Sequence, residues 1–291
     1  MRSFVLERPE SLSGAFDLLN EYREKALVKS GGTDLIVWLH KSLVSPDCVI
    51  DLSRIDQLKG IAVLPEQLEI RALTTVSELA SHPVVREKLP ALAQACLAHS
   101  DPLIRNRATV VGNVCSAVPS GDMIAPLVCY DAVVEIANAS GSRSLKVIDF
   151  ITGPKRTALS TGEIVTGLKI PLNEGRSSGS YLKAGRREAL DIAQAAVCCV
   201  ALEKVSTEFR ISFCAVSPRP IRAREVEKLL NDSGRVDDRT LELAADLAAG
   251  AVDPITDVRA SREYRLAMIR ELTKRAIAGC VAELEGAGRS E

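Results

Sequence analysis

Two short glycine-bearing segments lie about eighty residues apart: Ser30-Gly31-Gly32-Thr33-Asp34 and Thr109-Val110-Val111-Gly112-Asn113. Each follows an apolar or extended stretch and puts small residues where backbone must come close to something. Glycine has no Cβ to block a ligand and reaches positive φ cheaply. Two such loops meeting in space would make a cradle of backbone N–H groups, which suits a pyrophosphate. The first reads as strand (Ala26-Leu27-Val28), glycine turn, then helix over residues 35–40. A helix N-terminus offers unpaired amides and a partial positive charge, so an anion is favoured there. Neither Gly-x-Gly-x-x-Gly nor Gly-x-x-x-x-Gly-Lys-Ser/Thr occurs. Both a nicotinamide-type Rossmann domain and a nucleotide triphosphatase are therefore disfavoured.

Few other side chains have the types and spacing for chemistry. His40 and His82 lie in polar helical or turn contexts and read as solvated surface residues, whereas His99 stands just ahead of the second loop. No Ser-His-Asp or Cys-His grouping can be argued from spacing, and no metal-binding His pair exists. Asp34 and Asp122 each sit close to one loop. A phosphate repels a carboxylate, so each either caps a helix or meets the sugar and ring end of a ligand. Capping is favoured for Asp34; both readings stay open for Asp122. Lys183, Arg186 and Arg187 form a basic cluster, either a solvated strand end or a source of positive charge beside a cofactor. The eight cysteines, at positions 48, 96, 115, 129, 198, 199, 214 and 280, form no Cys-x-x-Cys pair. Their apolar neighbours point to buried, reduced, structural thiols rather than zinc or iron–sulfur ligation. Alternation along a strand would send Cys198 and Cys199 to opposite faces.

These residues need elements to position them. Ser11 to Tyr22 reads as an amphipathic helix with Ser11 as N-cap, showing Leu12, Ala15, Phe16, Leu19 and Tyr22 on one face. The strand at 26–28, the helix at 35–40 and a strand at 48–52 make a β-α-β unit. Residues 61–64 and 68–71 flank Pro65-Glu66-Gln67 as a hairpin. Helical stretches follow, one N-capped by Thr74 or Thr75 and one over 90–98, then a short one over 122–128. Strands are expected at 132–137, 144–148 and 164–170. Residues 171–179, polar and rich in turn formers, read as a linker. Beyond them come three strands (181–183, 192–202, 209–216) and three helices (223–230, 239–248, 261–284). In the last helix Tyr264, Met268, Leu272, Ile277 and Val281 mark the expected buried stripe.

The bulk numbers are those of an ordinary globular chain. Its 291 residues suggest two domains, and 46% hydrophobic residues supply a sizeable core. With 37 basic against 38 acidic residues there is no basic field for nucleic acid. Aromatics at 3% argue against base-stacking platforms. No apolar run approaches the ~18 residues that span a bilayer. The N-terminal residues lack the long apolar segment and small-residue cleavage site of a secretory signal, so a cytoplasmic protein is the expectation.

The whole chain resembles the medium, FAD-binding subunit of the molybdenum hydroxylases. That group includes bacterial xanthine dehydrogenases, carbon monoxide dehydrogenase and related aromatic-ring hydroxylases. The matching stretches are residues 31–35, Val49-Ile50-Asp51-Leu52-Ser53-Arg54-Ile55, Ile104-Arg105-Asn106, Ala108-Thr109, Gly112-Asn113 and Pro119 with Gly121-Asp122. They continue through Tyr181-Leu182-Lys183, Gly185-Arg186-Arg187 and Asp191-Ile192-Ala193, and residues 259–277 resemble the closing helix of xanthine dehydrogenase flavoproteins.

The resemblance, closest to the bacterial xanthine dehydrogenase FAD subunit, implies an α+β fold. A two-part FAD-binding domain of the vanillyl-alcohol-oxidase/murB (PCMH) type would cover residues 1–172, with parts at about 1–55 and 56–172. A CO dehydrogenase flavoprotein-like domain, a three-stranded antiparallel sheet plus helices, would cover 180–286. By the family's pattern Val28, Lys29, Ser30, Gly31, Gly32, Thr33, Asp34 and Leu35 would wrap the pyrophosphate with Thr109, Val110, Val111, Gly112 and Asn113. Asp122 would contact the adenosine or ribityl side and His99 would line the FAD. Val165 and Lys183 would lie against the flavin end. No catalytic side chain and no metal ligand is implied in this chain. Electrons would come from a large molybdopterin subunit through two [2Fe–2S] clusters of a small subunit, reduce FAD, and leave as hydride to NAD⁺, with a purine such as xanthine or another N-heterocycle as the substrate hydroxylated. Three positions stand out against the family's pattern: Lys29 where an apolar residue is common, Ser30 at the usual small position, and Val111 where a second adjacent glycine is usual. A β-branched residue cannot easily take positive φ. The alternatives are a self-contained flavin oxidase of the same fold and an interaction subunit that has lost FAD.

Overall fold

Residues 2–187, 190–203 and 206–287 are described by a computed structural model. The chain opens with strand β1 (Val5–Glu7), helix α1 (Leu12–Tyr22), β2 (Ala26–Lys29), α2 (Thr33–His40) and β3 (Cys48–Asp51). The three strands pair in parallel in the order β1-β3-β2. Ser11 caps α1 by accepting the Gly14 N–H at 3.1 Å, and Ala15, Phe16 and Leu19 are buried on the expected face. Central β3 is buried along its length. Its alternation sorts the side chains: Cys48 and Ile50 join Ala15, Phe16 and Leu19 in the main core, while Val49 packs with Leu35 and Leu39 of α2.

The next stretch wraps helices around an antiparallel sheet. It runs β4 (Ile61–Val63), β5 (Gln67–Arg71), α3 (Val76–Ser81), α4 (Pro83–Lys88), α5 (Pro90–Ala98), α6 (Pro102–Arg105), α7 (Val110–Ser116) and α8 (Ile124–Cys129). Then come β6 (Val133–Asn138), β7 (Gly141–Lys146), α9 (Val147–Phe150), β8 (Ile151–Gly153), β9 (Arg156–Thr157) and β10 (Ile164–Pro171). The sheet order is β4-β5-β10-β6-β7, so β10 returns to the centre after the long excursion and completes the core between β5 and β6. Of the two candidate caps for α3, Thr75 is the one used, in a capping box with Glu78.

The last part is an antiparallel sheet, β11 (Ser177–Ala184), β12 (Ala195–Glu203) and β13 (Thr207–Cys214), followed by α10 (Arg224–Asp232), α11 (Asp238–Ala251) and α12 (Arg262–Ala287). Central β12 is buried on both faces. Ala196, Cys198, Val200 and Leu202 join the core of the preceding units, whereas Ala195, Val197, Cys199 and Ala201 face the core shared with the closing helices. The adjacent cysteines do point to opposite sides. All eight cysteines are free, and burial raises the Cys96 thiol and pushes Cys115 up to about 12, so neither forms thiolate near neutral pH.

Two expectations are corrected. The linker over 171–179 is shorter, because β10 runs to Pro171 and β11 starts at Ser177. Its polar residues are drawn into contacts: the Ser178 hydroxyl donates to the Cys280 carbonyl at 3.0 Å, and a Cβ on Gly179 would lie 2.7 Å from the Ala91 nitrogen. On α12 the expected Ile277 is buried and Met268, Leu272 and Val281 pack half-buried on the same core, but Tyr264 does not and the fully buried positions differ. Ile269, Thr273, Ala276, Ile277 and Cys280 are buried, while Tyr264 is 41% exposed. Arg265 takes the buried register instead, its guanidinium held by the carbonyls of Gln194 and Ala215 and by Asp257. Among the described residues no helix is long and apolar enough to cross a membrane.

Candidate functional site

The first glycine turn leaves β2 and enters α2. Gly31 is backed against the second loop, since a Cβ there would fall 2.1 Å from the Arg107 carbonyl oxygen. Gly32 precedes α2 with φ +82°, a left-handed conformation that favours glycine. Helix α2 starts at Thr33, two residues earlier than expected, so the amides of Thr33, Asp34 and Leu35 fall in its first turn. None of the three finds a protein acceptor among the described residues; the first satisfied amide is that of Ile36, bonded to the Gly32 carbonyl at 3.0 Å. Lys29 does not add its charge to this cradle. Its stem passes beneath Gly32 and its ammonium binds Asp51 at 3.0 Å. Burial works against the Asp51 charge, but Lys29 and the Ser53 amide outweigh it and hold the carboxyl below its ordinary range.

The second turn enters α7. Thr109 caps it, accepting the Gly112 N–H at 3.0 Å, and a Cβ on Gly112 would sit 2.7 Å from that hydroxyl. Val110 is fully buried and its amide binds the Thr74 carbonyl at 3.2 Å. Val111 occupies the first turn of the helix, with none of the positive φ that a second glycine would permit. Its side chain is 3% exposed in the core, and its amide has no protein acceptor among the described residues. The β-branched residue thus offers its N–H with ordinary backbone. The two turns touch: the Ser30 and Thr109 hydroxyls are 2.9 Å apart, and the Ser116 hydroxyl donates to Asp34 at 2.6 Å. Asp34 therefore ties the first turn to the far end of α7 instead of capping α2.

These turns form part of the wall of a cavity of about 730 Å³. Residues 28–35 line it, as do His99, Thr109, Val111, Gly112, Asn113, Asp122 and Val165. Val110 and Lys183 do not: the first is in the core, the second behind Asp122. The sequence reading missed Leu19 of α1, Trp38 of α2, residues 159–163 and residues 190–192, all on the wall. Their spacing carried no signal, because they converge only through tertiary packing.

Asp122 is 4% exposed, and of its two open readings capping is not realised, since α8 begins beyond it without a side-chain cap. Its carboxylate accepts from the Tyr181 hydroxyl at 2.8 Å, lies 3.0 Å from the Lys183 ammonium and 2.9 Å from His99 Nδ1. Burial first, and the Asp122 charge second, push the Tyr181 phenol well above its ordinary range. Lys183 also donates to the Ala98 carbonyl at 3.1 Å. His99, held through its Nδ1, lines the cavity, and among the described residues its Nε2 makes no hydrogen bond. The rest of the basic cluster serves the backbone: Arg186 binds the Val258 and Arg259 carbonyls, and Arg187 that of Leu190. Of the remaining histidines, His40 is exposed, but His82 is half-buried with an unpartnered Nδ1, contrary to a solvated position.

An apolar-walled cavity of this size, edged by free helix-terminal amides and a few fixed polar groups, fits a dinucleotide cofactor. Residues 2–173 match the family described as the FAD binding domain in molybdopterin dehydrogenase, and residues 180–279 match the CO dehydrogenase flavoprotein C-terminal domain. The chain belongs to the FAD-binding medium-subunit family of the xanthine and CO dehydrogenases. This flavoprotein subunit is 31% identical over 285 residues to a xanthine dehydrogenase FAD-binding subunit of Escherichia coli O157:H7, with 96% of each chain covered. It is 32% identical to the glyceraldehyde dehydrogenase medium chain of Sulfolobus acidocaldarius, covering 94% of this chain and 96% of that one. Its fold is similar to a chain of reconstituted CO dehydrogenase from Oligotropha carboxidovorans, at a TM-score of 0.92 and 30% identity, covering 97% and 98%. The protein is thus an oxidoreductase subunit of the xanthine/CO dehydrogenase type.

Proposed function

We propose that this flavoprotein subunit holds FAD in the cavity, with the pyrophosphate on the free amides of Thr33, Asp34, Leu35 and Val111. In this reading it takes electrons from the [2Fe–2S] clusters of a small partner subunit, fed by a large molybdopterin subunit. It passes them to NAD⁺ in the cytoplasm during hydroxylation of a purine such as xanthine. The observation that carries the proposal is the junction of two helix N-termini with unsatisfied amides on one cavity. Bound FAD would supply the exchange between single-electron and hydride transfer. The chain's own residues bind and orient. Gly31 lets the turns meet, Ser30 and Thr109 pin them, and Asp122 fixes the His99 ring on the wall of the cofactor space. Lys183, though off the wall, holds Asp122 in place.

Organic chemistry on another polypeptide accounts for a further fact. Relatives named for xanthine, glyceraldehyde and carbon monoxide are 31%, 32% and 28% identical to this chain, so similarity of this subunit does not sort by substrate. The test uses the purified full chain. With FAD added, it is expected to retain the flavin through gel filtration, to pass electrons from NADH to an artificial dye, and to leave xanthine untouched. Co-purification from its native source should bring molybdenum and iron. Failure to retain FAD overturns the reading; turnover of an organic substrate by the chain alone replaces it with a direct oxidase.

A further inference from the structure

One part of the cavity wall is built by residues 159–163, between β9 and β10, facing α1. Gly162, at φ +86°, brings this segment close enough that a Cβ there would lie 3.5 Å from Asn20 Oδ1 of α1. The segment itself is polar, with Ser160 and Thr161 exposed, but the side chains packed behind it are apolar and buried: Leu19 of α1 and Ile164 are each no more than 5% exposed. The connection from β11 to β12, which leaves β11 just after the Lys183 that binds Asp122, brings Leu190 and Ile192, 51% and 46% exposed, to another part of the wall. A dinucleotide lying on the amide cradle has one heterocycle to each side of its pyrophosphate. The heterocycle that exchanges electrons needs a surface that an electron donor can cover, which the exposed apolar Leu190 and Ile192 offer, and this leaves the 159–163 side for the adenine.

The 159–163 segment is held from outside the cavity. Arg143, on edge strand β7, makes a two-pronged bond to Glu163, Nε to Oε1 at 2.7 Å and Nη2 to Oε2 at 2.6 Å. The same Nη2 donates to the Ala158 carbonyl at 2.7 Å. Glu163 also accepts the Ser160 amide at 2.7 Å, while its own amide returns to the Ser160 carbonyl at 3.1 Å. One guanidinium thus anchors the entry, the turn and the exit of the segment. A planar fork matched to a carboxylate fixes orientation as well as distance, which a lysine cannot do. Arg143 itself does not reach the cavity.

We infer that the Arg143–Glu163 pair is a positioning device for the adenylate half of the cofactor and sets the preference for a dinucleotide flavin over a mononucleotide one. The inference rests on the reading that the cavity takes FAD. FMN has no adenylate, so it makes no contact with the segment that the pair holds.

The experiment titrates flavin-stripped full-chain protein with FAD, FMN and ADP, comparing wild type with R143Q, R143K and E163Q, and records thermal melts of each stripped protein. Loss of the fork is expected to weaken FAD and ADP by about tenfold in R143Q and E163Q, with R143K between them and wild type. FMN affinity is expected to stay within about twofold, so the FAD-to-FMN ratio collapses. R143K keeps the charge and volume and supplies the comparison should R143Q not melt cooperatively. Equal weakening of FAD and FMN would mean a merely structural role, and unchanged FAD and ADP affinity would mean none; either overturns the inference. Wild type binding neither flavin would defeat the underlying reading, whereas wild type binding FAD with an unaltered ratio in the variants defeats this inference alone.

Discussion

At the scale of single residues, the site uses backbone where a charged side chain is the simpler device. Lys29 stands at the turn, yet its ammonium neutralises Asp51 beneath it. The cradle therefore depends on where amides point, and Val111 tests that idea. If its side chain belongs to the core, V111G should lower unfolding free energy by about 3 kcal/mol through lost burial and added chain entropy. FAD affinity should not tighten. Urea denaturation followed by flavin titration checks both, and tighter binding by the glycine variant would show that the valine obstructs the cradle. Asp122 makes the opposite case, a buried charge with three partners. D122N leaves the Lys183 ammonium, 12% exposed, without its carboxylate and should cost about 3–5 kcal/mol by chemical denaturation. A change within experimental error would mean that the network contributes orientation only.

At the scale of elements, two short helices act as paired ligands and one short segment as a wall. Helices α2 and α7 are too brief to be stable alone; tertiary packing holds them, Gly31 lets the two turns approach, and Gly112 leaves room for the capping Thr109 hydroxyl. The 159–163 segment depends on ionised Glu163. The bond from Arg143 holds the Glu163 carboxyl below its ordinary range, outweighing burial, with the Ser160 amide adding to the effect. A folded-state value below the unfolded one means the anchor is fully present above the ordinary glutamate pKa of about 4.3 and is lost as pH falls through the lowered value. FAD release, followed by the rise of flavin fluorescence, should accordingly be flat from pH 7 to about 5 and rise only below about 4. In E163Q the contribution of this step should vanish. A release curve that climbs already near pH 6 would point to another group.

At the scale of the whole molecule, the parts share a core. Tyr181, Cys198, Val200 and Cys214 of the closing sheet pack in the same cluster as Leu92, Cys129 and Tyr130. Polar contacts follow the seam: Gln94 exchanges bonds with the Tyr181 amide and the Gly179 carbonyl at 2.8 and 3.0 Å, and Arg210 reaches Asp131 at 2.7 Å. Asp122 and Lys183 meet across the same seam, so docking of the closing sheet and shape of the cavity are coupled. Residues 1–172 expressed alone should expose this apolar face and associate, eluting in gel filtration well above monomer size. A well-behaved monomer that still retains FAD would show that the seam is dispensable to the site.

Much of this was legible in the residues. Periodicity located α1, the β4–β5 hairpin and the three closing strands, and the alternation of Cys198 and Cys199 placed them on opposite faces. Where periodicity failed, a polar interaction had displaced an apolar one, as with Arg265 buried in place of Tyr264 on α12, or docking had recruited polar residues, as with Ser178 in the supposed linker. The glycine segments announced a close approach, because steric freedom is a property of residue type. What they approached was not written there. That Gly31 meets the Arg107 carbonyl, that Val111 sits safely in a helix, and that Arg143 holds a wall twenty residues away were decided by the tertiary structure. Local chemistry sets what a segment can do, but which donors remain unpaired, and around what space, depends on contacts between residues far apart in the chain.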